Sequence, residues 1–178
     1  SWGFHSHIDF TRMSREENNV WFFEQVFNFL RAFFGIVMPD SLEIITHNAT
    51  QQINRDKLDQ MTFLDELMLI LKNLKEPIWS LRLNLSIVGF IRDDWEPDNP
   101  VRIRIQESGF QSFNISFQLF SSQEVKGQDV QLWSINQPLL EKGLKKWEAQ
   151  TGRAIDAVNS NSPDLDLSSS GFNSRAPE

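Results

Sequence analysis

The chain of 178 residues contains no cysteine and no tyrosine, and only 3 histidines. Without cysteine there is no disulfide framework, thiol nucleophile, thiolate zinc site or iron–sulfur cluster, which suits a reducing compartment. Without tyrosine no phenol can serve as acid or nucleophile, and 15 Phe and 6 Trp carry the aromatic content. Phe buries area with no hydroxyl to satisfy, so these rings are expected chiefly in a core. Positive charge is also scarce: 17 Lys and Arg against 24 Asp and Glu leave a formal net charge of -7. General nucleic-acid binding, which rests on Lys and Arg neutralising phosphates, is thereby disfavoured.

Long hydrophobic runs are missing as well. The longest apolar stretch, 20–38, is broken by Glu24, Gln25, Asn28 and Arg31, which disqualifies it as a membrane span of about 20 apolar residues. Residues 1–5 show no basic segment followed by an apolar run, so no secretory signal is expected. Asn48, Asn84 and Asn114 each begin an N-glycosylation pattern, but two lie inside expected strands and all three read as accidental. A soluble, cytoplasmic protein without a cofactor is the expectation, with one domain over 1–158 and a polar C-terminal tail over 159–178.

Periodicity supplies the elements. Phe4, Ser6, Ile8 and Phe10 alternate with His5, His7, Asp9 and Thr11, as in a half-buried strand. Ser14 and Glu17 form a capping box, which starts a helix over 15–34, and Gly35 is placed to end it. Val20, Phe23, Phe27, Leu30 and Phe34 make one stripe on that helix, and Phe22, Val26, Phe29 and Phe33 a second. An apolar arc this wide fits a central helix lying across a sheet, and one able to feed an interface. A short strand over 41–46, an exposed polar helix or loop over 48–60 and a helix capped by Thr62 and ended before Pro77 follow.

Trp79, Leu81, Leu83, Leu85 and Ile87 against Ser80, Arg82, Asn84 and Ser86 give the clearest strand signal. Val101, Ile103 and Ile105 give another, with Arg102, Arg104 and Gln106 between them. A third runs over 112–119, with Phe113, Ile115, Phe117 and Leu119 inward and Ser112, Asn114, Ser116 and Gln118 outward. A turn over 126–129 leads to a further short strand from Val130, and Pro138 opens a final helix. Leu165, Leu167 and Phe172 could anchor the tail. The fold expected is α+β: an antiparallel meander of four to five strands packed on one face by the long Phe-rich helix and a second helix, with a C-terminal helix and an extended tail.

Three groups of residues carry candidate chemistry. His5, His7 and Asp9 on one side of the first strand hold donors suited to zinc, iron or manganese, although a catalytic metal usually needs three protein ligands and an open position. The acidic loop 93–99 offers Asp94, Trp95 and Glu96 as contact residues, but lacks the glycine and terminal glutamate of a calcium loop. Arg82, Arg102 and Arg104, with Asn84, gather on the polar face of the sheet, where guanidinium groups could grip a carboxylate or phosphate bidentately, unless they pair with the protein's own acids or are covered by another element. No phosphate loop, nucleophile elbow or catalytic triad is present. The expected function is a non-catalytic protein-binding module, an inhibitor or an accessory factor, contacting another protein through the polar face of the sheet, the acidic loop 93–99 or the C-terminal tail; an acidic contact surface on the partner would suit the first of these. Homo-oligomer formation stays compatible. The alternative is a small-ligand protein or metal-dependent enzyme with a pocket between helix and sheet.

Overall fold

A computed structural model describes residues 1–54, 59–90, 101–120, 130–160 and 166–173. Its frame is a seven-stranded sheet in the order β3-β2-β4-β5-β6-β1-β7. These strands are β1 (Trp2–His5), β2 (Val37–Thr46), β3 (Thr50–Asn54), β4 (Ile78–Ile87), β5 (Val101–Gln106), β6 (Phe110–Asn114) and β7 (Ala157–Val158). Neighbouring strands pair antiparallel throughout. The central run β4-β5-β6 is the expected meander, and Gly109, at φ 81, makes its second turn.

The sheet is wider than the four to five strands expected. β3 escapes periodicity because it is an edge strand of mostly polar residues, Thr50-Gln51-Gln52, paired along β2. Two-residue β7 is too short to leave a pattern. β6 ends at Asn114, and a 3₁₀ turn over Phe117–Phe120 replaces the rest of the third strand. The inward and outward alternation beyond Asn114 is therefore lost.

Helix α1 (Arg15–Ala32) opens on the capping box: Ser14 Oγ accepts from the Glu17 amide at 3.1 Å, and Glu17 accepts from the Ser14 amide at 2.7 Å. Gly35, at φ 76, follows its end. Helix α2 (Gln60–Asn73) starts earlier than expected, because Asp59 and not Thr62 is the cap; its carboxylate accepts from the Met61 and Thr62 amides, both at 3.0 Å. Helix α3 (Val130–Thr151) replaces the expected strand from Val130 and encloses Pro138. The 126–129 turn expected before that strand lies outside the described residues.

All three helices lie on one face of the sheet. Phe29 and Phe33 stack on each other and meet Phe113 of β6 in tilted contacts, and Trp147 of α3 packs against Phe4 of β1 and Phe29. Trp2, Phe4, Phe22, Phe29, Phe33 and Phe113 are all fully buried, so the excess of Phe over Tyr does go into the core. The sheet-facing stripe of α1 is Phe22, Val26, Phe29 and Phe33. Its other stripe is not covered as a central helix would require: Val20, Phe27 and Phe34 are exposed, and Leu30 alone is fully buried.

The C-terminal segment returns to this layer. A hairpin of β8 (Leu167–Ser168) and β9 (Gly171–Phe172) seats the Phe172 ring against Trp2 and Phe120, at centroid distances of 5.2 and 4.6 Å. The Gln137 side chain binds both sides of its turn, donating to Ser170 O and accepting from the Phe172 amide, each at 3.0 Å. Trp2 Nε1 donates to Ser168 O at 2.7 Å. Of the anchors expected in the tail, Phe172 joins the core cluster, Leu167 packs half-buried against it, and Leu165 lies outside the described residues.

Candidate functional site

On β4, Leu81, Leu83, Leu85 and Ile87 point to the helices, and on β5 Val101, Ile103 and Ile105 do the same. Arg82, Asn84, Arg102, Arg104, Ser112 and Asn114 consequently project from the other face. The phase slips at two bulges, at Asp40 of β2 and at the start of β4. The register with β2 shifts between Ile45 and Thr46, leaving Trp79 as an extra residue. This bulge buries Ile78 and turns Trp79 out to 47% exposure, against the inward position its alternation implied.

Register decides the electrostatics of this face. Arg82 stands directly opposite Arg104, while Arg104 stands opposite Ser112 and Arg102 lies between Asn84 and Asn114. Glu43 is the acid that the described strands place in the same row, and it meets Arg82 at 2.9 Å. With side chains 37% and 31% exposed, that pair sits in partial water contact and is worth little by itself. Asn84 donates to Ser41 Oγ at 2.8 Å. Arg104 Nε is buried without a hydrogen-bond partner, and among the described residues neither Arg102 nor Arg104 has an ion pair.

Two cations facing each other across a ladder cost stability unless an acid lies between them. Glu43 relieves Arg82 from one side only. Arg104 is half-buried, with its Nε unsatisfied and no acid paired with it, so the accessible part of its guanidinium is free for a carboxylate brought from outside.

The His5, His7 and Asp9 set is not assembled as the strand pattern implied. β1 stops at His5, whose ring lies against Phe110 at 4.7 Å. His7 lies beyond the strand, and Asp9 turns its carboxylate to the Thr11 amide and to Arg12 Nε at 3.2 and 3.0 Å. Among the described residues no group of three His, Asp or Glu side chains could hold a metal. The acidic loop with Asp94, Trp95 and Glu96 lies outside the described residues.

Two clefts formed by described residues were not legible in the sequence. One, of about 180 Å³, lies between the β2–β3 hairpin and the end of α2, lined by Ile44, Ala49, Gln51, Leu74 and Glu76. There the Asn48 side-chain amide and the Thr46 hydroxyl hold the Glu76 carboxyl below its ordinary value of 4.5. The other, of about 270 Å³, opens between α1 and α2 with Val20, Phe23, Met68 and Leu71 as its apolar lining. His5, His7, Asp9 and the arginines of the sheet line neither. Among the described residues no helix is long and apolar enough to cross a membrane. Comparison of the chain with protein-family models, with curated proteins and with solved structures gave no match.

Proposed function

We propose that the chain is a non-catalytic, cytoplasmic protein-binding module, of the inhibitor or accessory-factor kind, that recognises an acidic segment of another protein on the outer face of its sheet. The observation that carries this reading is Arg104: opposed to Arg82, flanked by Ser112, and holding a buried Nε with no acceptor. A partner carboxylate over Arg104 and Arg102 would pair with their guanidinium groups and relieve the repulsion. Asn84 and Asn114 supply neutral donors and acceptors beside it. Trp79, turned outward by the bulge, offers a flat apolar contact at the margin of the same face.

Binding and stability should move in opposite directions at Arg104. Arg104→Thr removes a like-charge opposition and is expected to leave the isolated protein unchanged or more stable by about 0.2–1 kcal/mol. The same substitution should abolish capture of the protein by immobilised peptides rich in Asp and Glu. Wild-type capture should weaken steadily with salt. Equal capture of wild type, Arg104→Thr and Arg102→Glu by those peptides would refute the reading.

A further inference from the structure

The exposed side of α1 runs Glu17, Val20, Glu24, Phe27, Arg31, with Phe34 just past the helix end. These positions are spaced by three and four residues, so they form one straight seam and not a scatter of surface apolars. Val20 is 51% and Phe34 74% exposed, and Phe27 stacks only on half-buried Phe23 of the same helix. Exposed aromatics in a continuous seam mark a contact surface. At the Phe34 end, half-exposed Val88 adds to it, tied to α1's exit by the hydrogen bond its amide donates to Ile36 O at 3.0 Å.

We infer that this seam is the interface of a twofold dimer, in which α1 packs antiparallel against α1 of a second copy of the chain. The seam is complementary to its own reverse. Read forwards from Val20 it is apolar, acid, apolar, base, apolar; an antiparallel copy presents base where the first presents acid. The twofold axis that sets Phe27 against Phe27 also sets Phe34 of each copy opposite Val20 of the other. It brings Glu24 within one residue rise, about 1.5 Å along the axis, of the other copy's Arg31. A parallel pair would instead oppose Glu24 to Glu24 and Arg31 to Arg31. Among the described residues neither Glu24 nor Arg31 has an ion pair of its own.

Shape agrees with charge. The cleft of about 270 Å³ opens beside Val20 and Phe23 at the start of α1, and the most exposed aromatic, Phe34, stands at its far end. Val20 and Phe34 are symmetric about Phe27, and the span between them is about 21 Å along a helix axis. Each copy would therefore insert Phe34 into the other's cleft, an isologous exchange that closes on itself and leaves no unpaired site. This surface lies on the helix side of the molecule, opposite the arginine face, so the inference is independent of the function proposed above.

The test is sedimentation equilibrium on the full chain. A concentration-dependent dimer is expected. Glu24→Arg alone and Arg31→Glu alone should each weaken association at least about tenfold, the effect of roughly 1.4 kcal/mol. An equimolar mixture of the two variants should dimerise again, because one variant carries base at both charged positions of the seam and the other carries acid at both. Phe34→Ser should weaken association without any change of charge. Circular dichroism of these surface variants monitors folding. A wild type that stays monomeric at about 100 μM, or a dimer indifferent to both charge reversals, would overturn the inference. So would two monomeric variants that fail to associate when mixed.

Discussion

Gln111 of β6 donates its side-chain amide to Gln25 Oε1 of α1 at 2.8 Å, through the apolar layer between helix and sheet. Both side chains are buried, and Gln111 Oε1 has no partner. The two amides hold helix against sheet at a fixed register, but the bond is an incomplete network, and in a low-dielectric interior an incomplete network is costly. Removing one partner should be worse than removing both. Gln111→Leu is expected to cost about 1–3 kcal/mol by stranding Gln25, and the pair Gln25→Leu with Gln111→Leu to recover most or all of it. Urea denaturation of the three variants measures this, and simple additivity would contradict it.

Gly143 illustrates a contest between local and tertiary effects. In an exposed helix interior, Gly→Ala gains about 1 kcal/mol. Here an added Cβ would fall inside the contact radius of the Phe33 ring. That ring is fully buried and packed between Phe29 and Phe113, so it has nowhere to go. Overpacking of this kind costs about 1–3 kcal/mol, and Gly143→Ala is therefore expected to lower the urea midpoint.

The hairpin at Phe172 should behave as part of the core and not as an appendage. Phe172→Ala is expected to destabilise the whole domain by about 3–5 kcal/mol, and near-ultraviolet circular dichroism should show Trp2 losing its fixed environment in parallel. A loss confined to the hairpin, with the global transition unmoved, would show that its docking is an accessory contact.

Helix α2 should respond to acid. The Thr62 hydroxyl and amide hold the Asp59 carboxyl below its ordinary value of 3.8. A folded-state value lower than the unfolded one means that this cap contributes fully above 3.8 and is lost as pH falls through the lowered value. Stability measured downward from about pH 5 should decline in that window, and Asp59→Asn should flatten the decline. A carboxyl resonance of Asp59 titrating above 3.8 would contradict the assignment.

The parts of this fold that were readable in the sequence are those where burial alone sets the pattern. The inward Leu of β4, the inward Val and Ile of β5 and the Ser14 box all signal themselves through period or chemistry. β3 did not, because an edge strand is held by backbone pairing with β2 and needs few apolar side chains. The start of α3 was hidden because 130–133 alternates briefly, and Pro138, well suited to a first helical turn, drew the boundary too far along. Trp79 misled because a bulge changes which residues face inward without changing the sequence pattern. The arginine face was visible as three outward positions, whereas the opposition of Arg82 to Arg104 and the orphaned Nε depend on register, which no single strand encodes. The seam on α1 is legible in the sequence as excess apolar width able to feed an interface; that it faces water depends on how much of the helix the sheet has room to cover.

β1 has a consequence for how the molecule is made. Trp2 pairs across the ladder with Phe113 and hydrogen-bonds to Ser168, 166 positions away. Of the strands in this sheet, the one synthesised first thus waits for β6 before it has a neighbour, and Trp2 and Phe4 stay exposed on the ribosome until most of the chain has emerged. Closure of the sheet at β1 is then a late event joining distant parts of the sequence, of the kind that slows folding. Proteins truncated before 110 would lack β6 and be released with that gap still open.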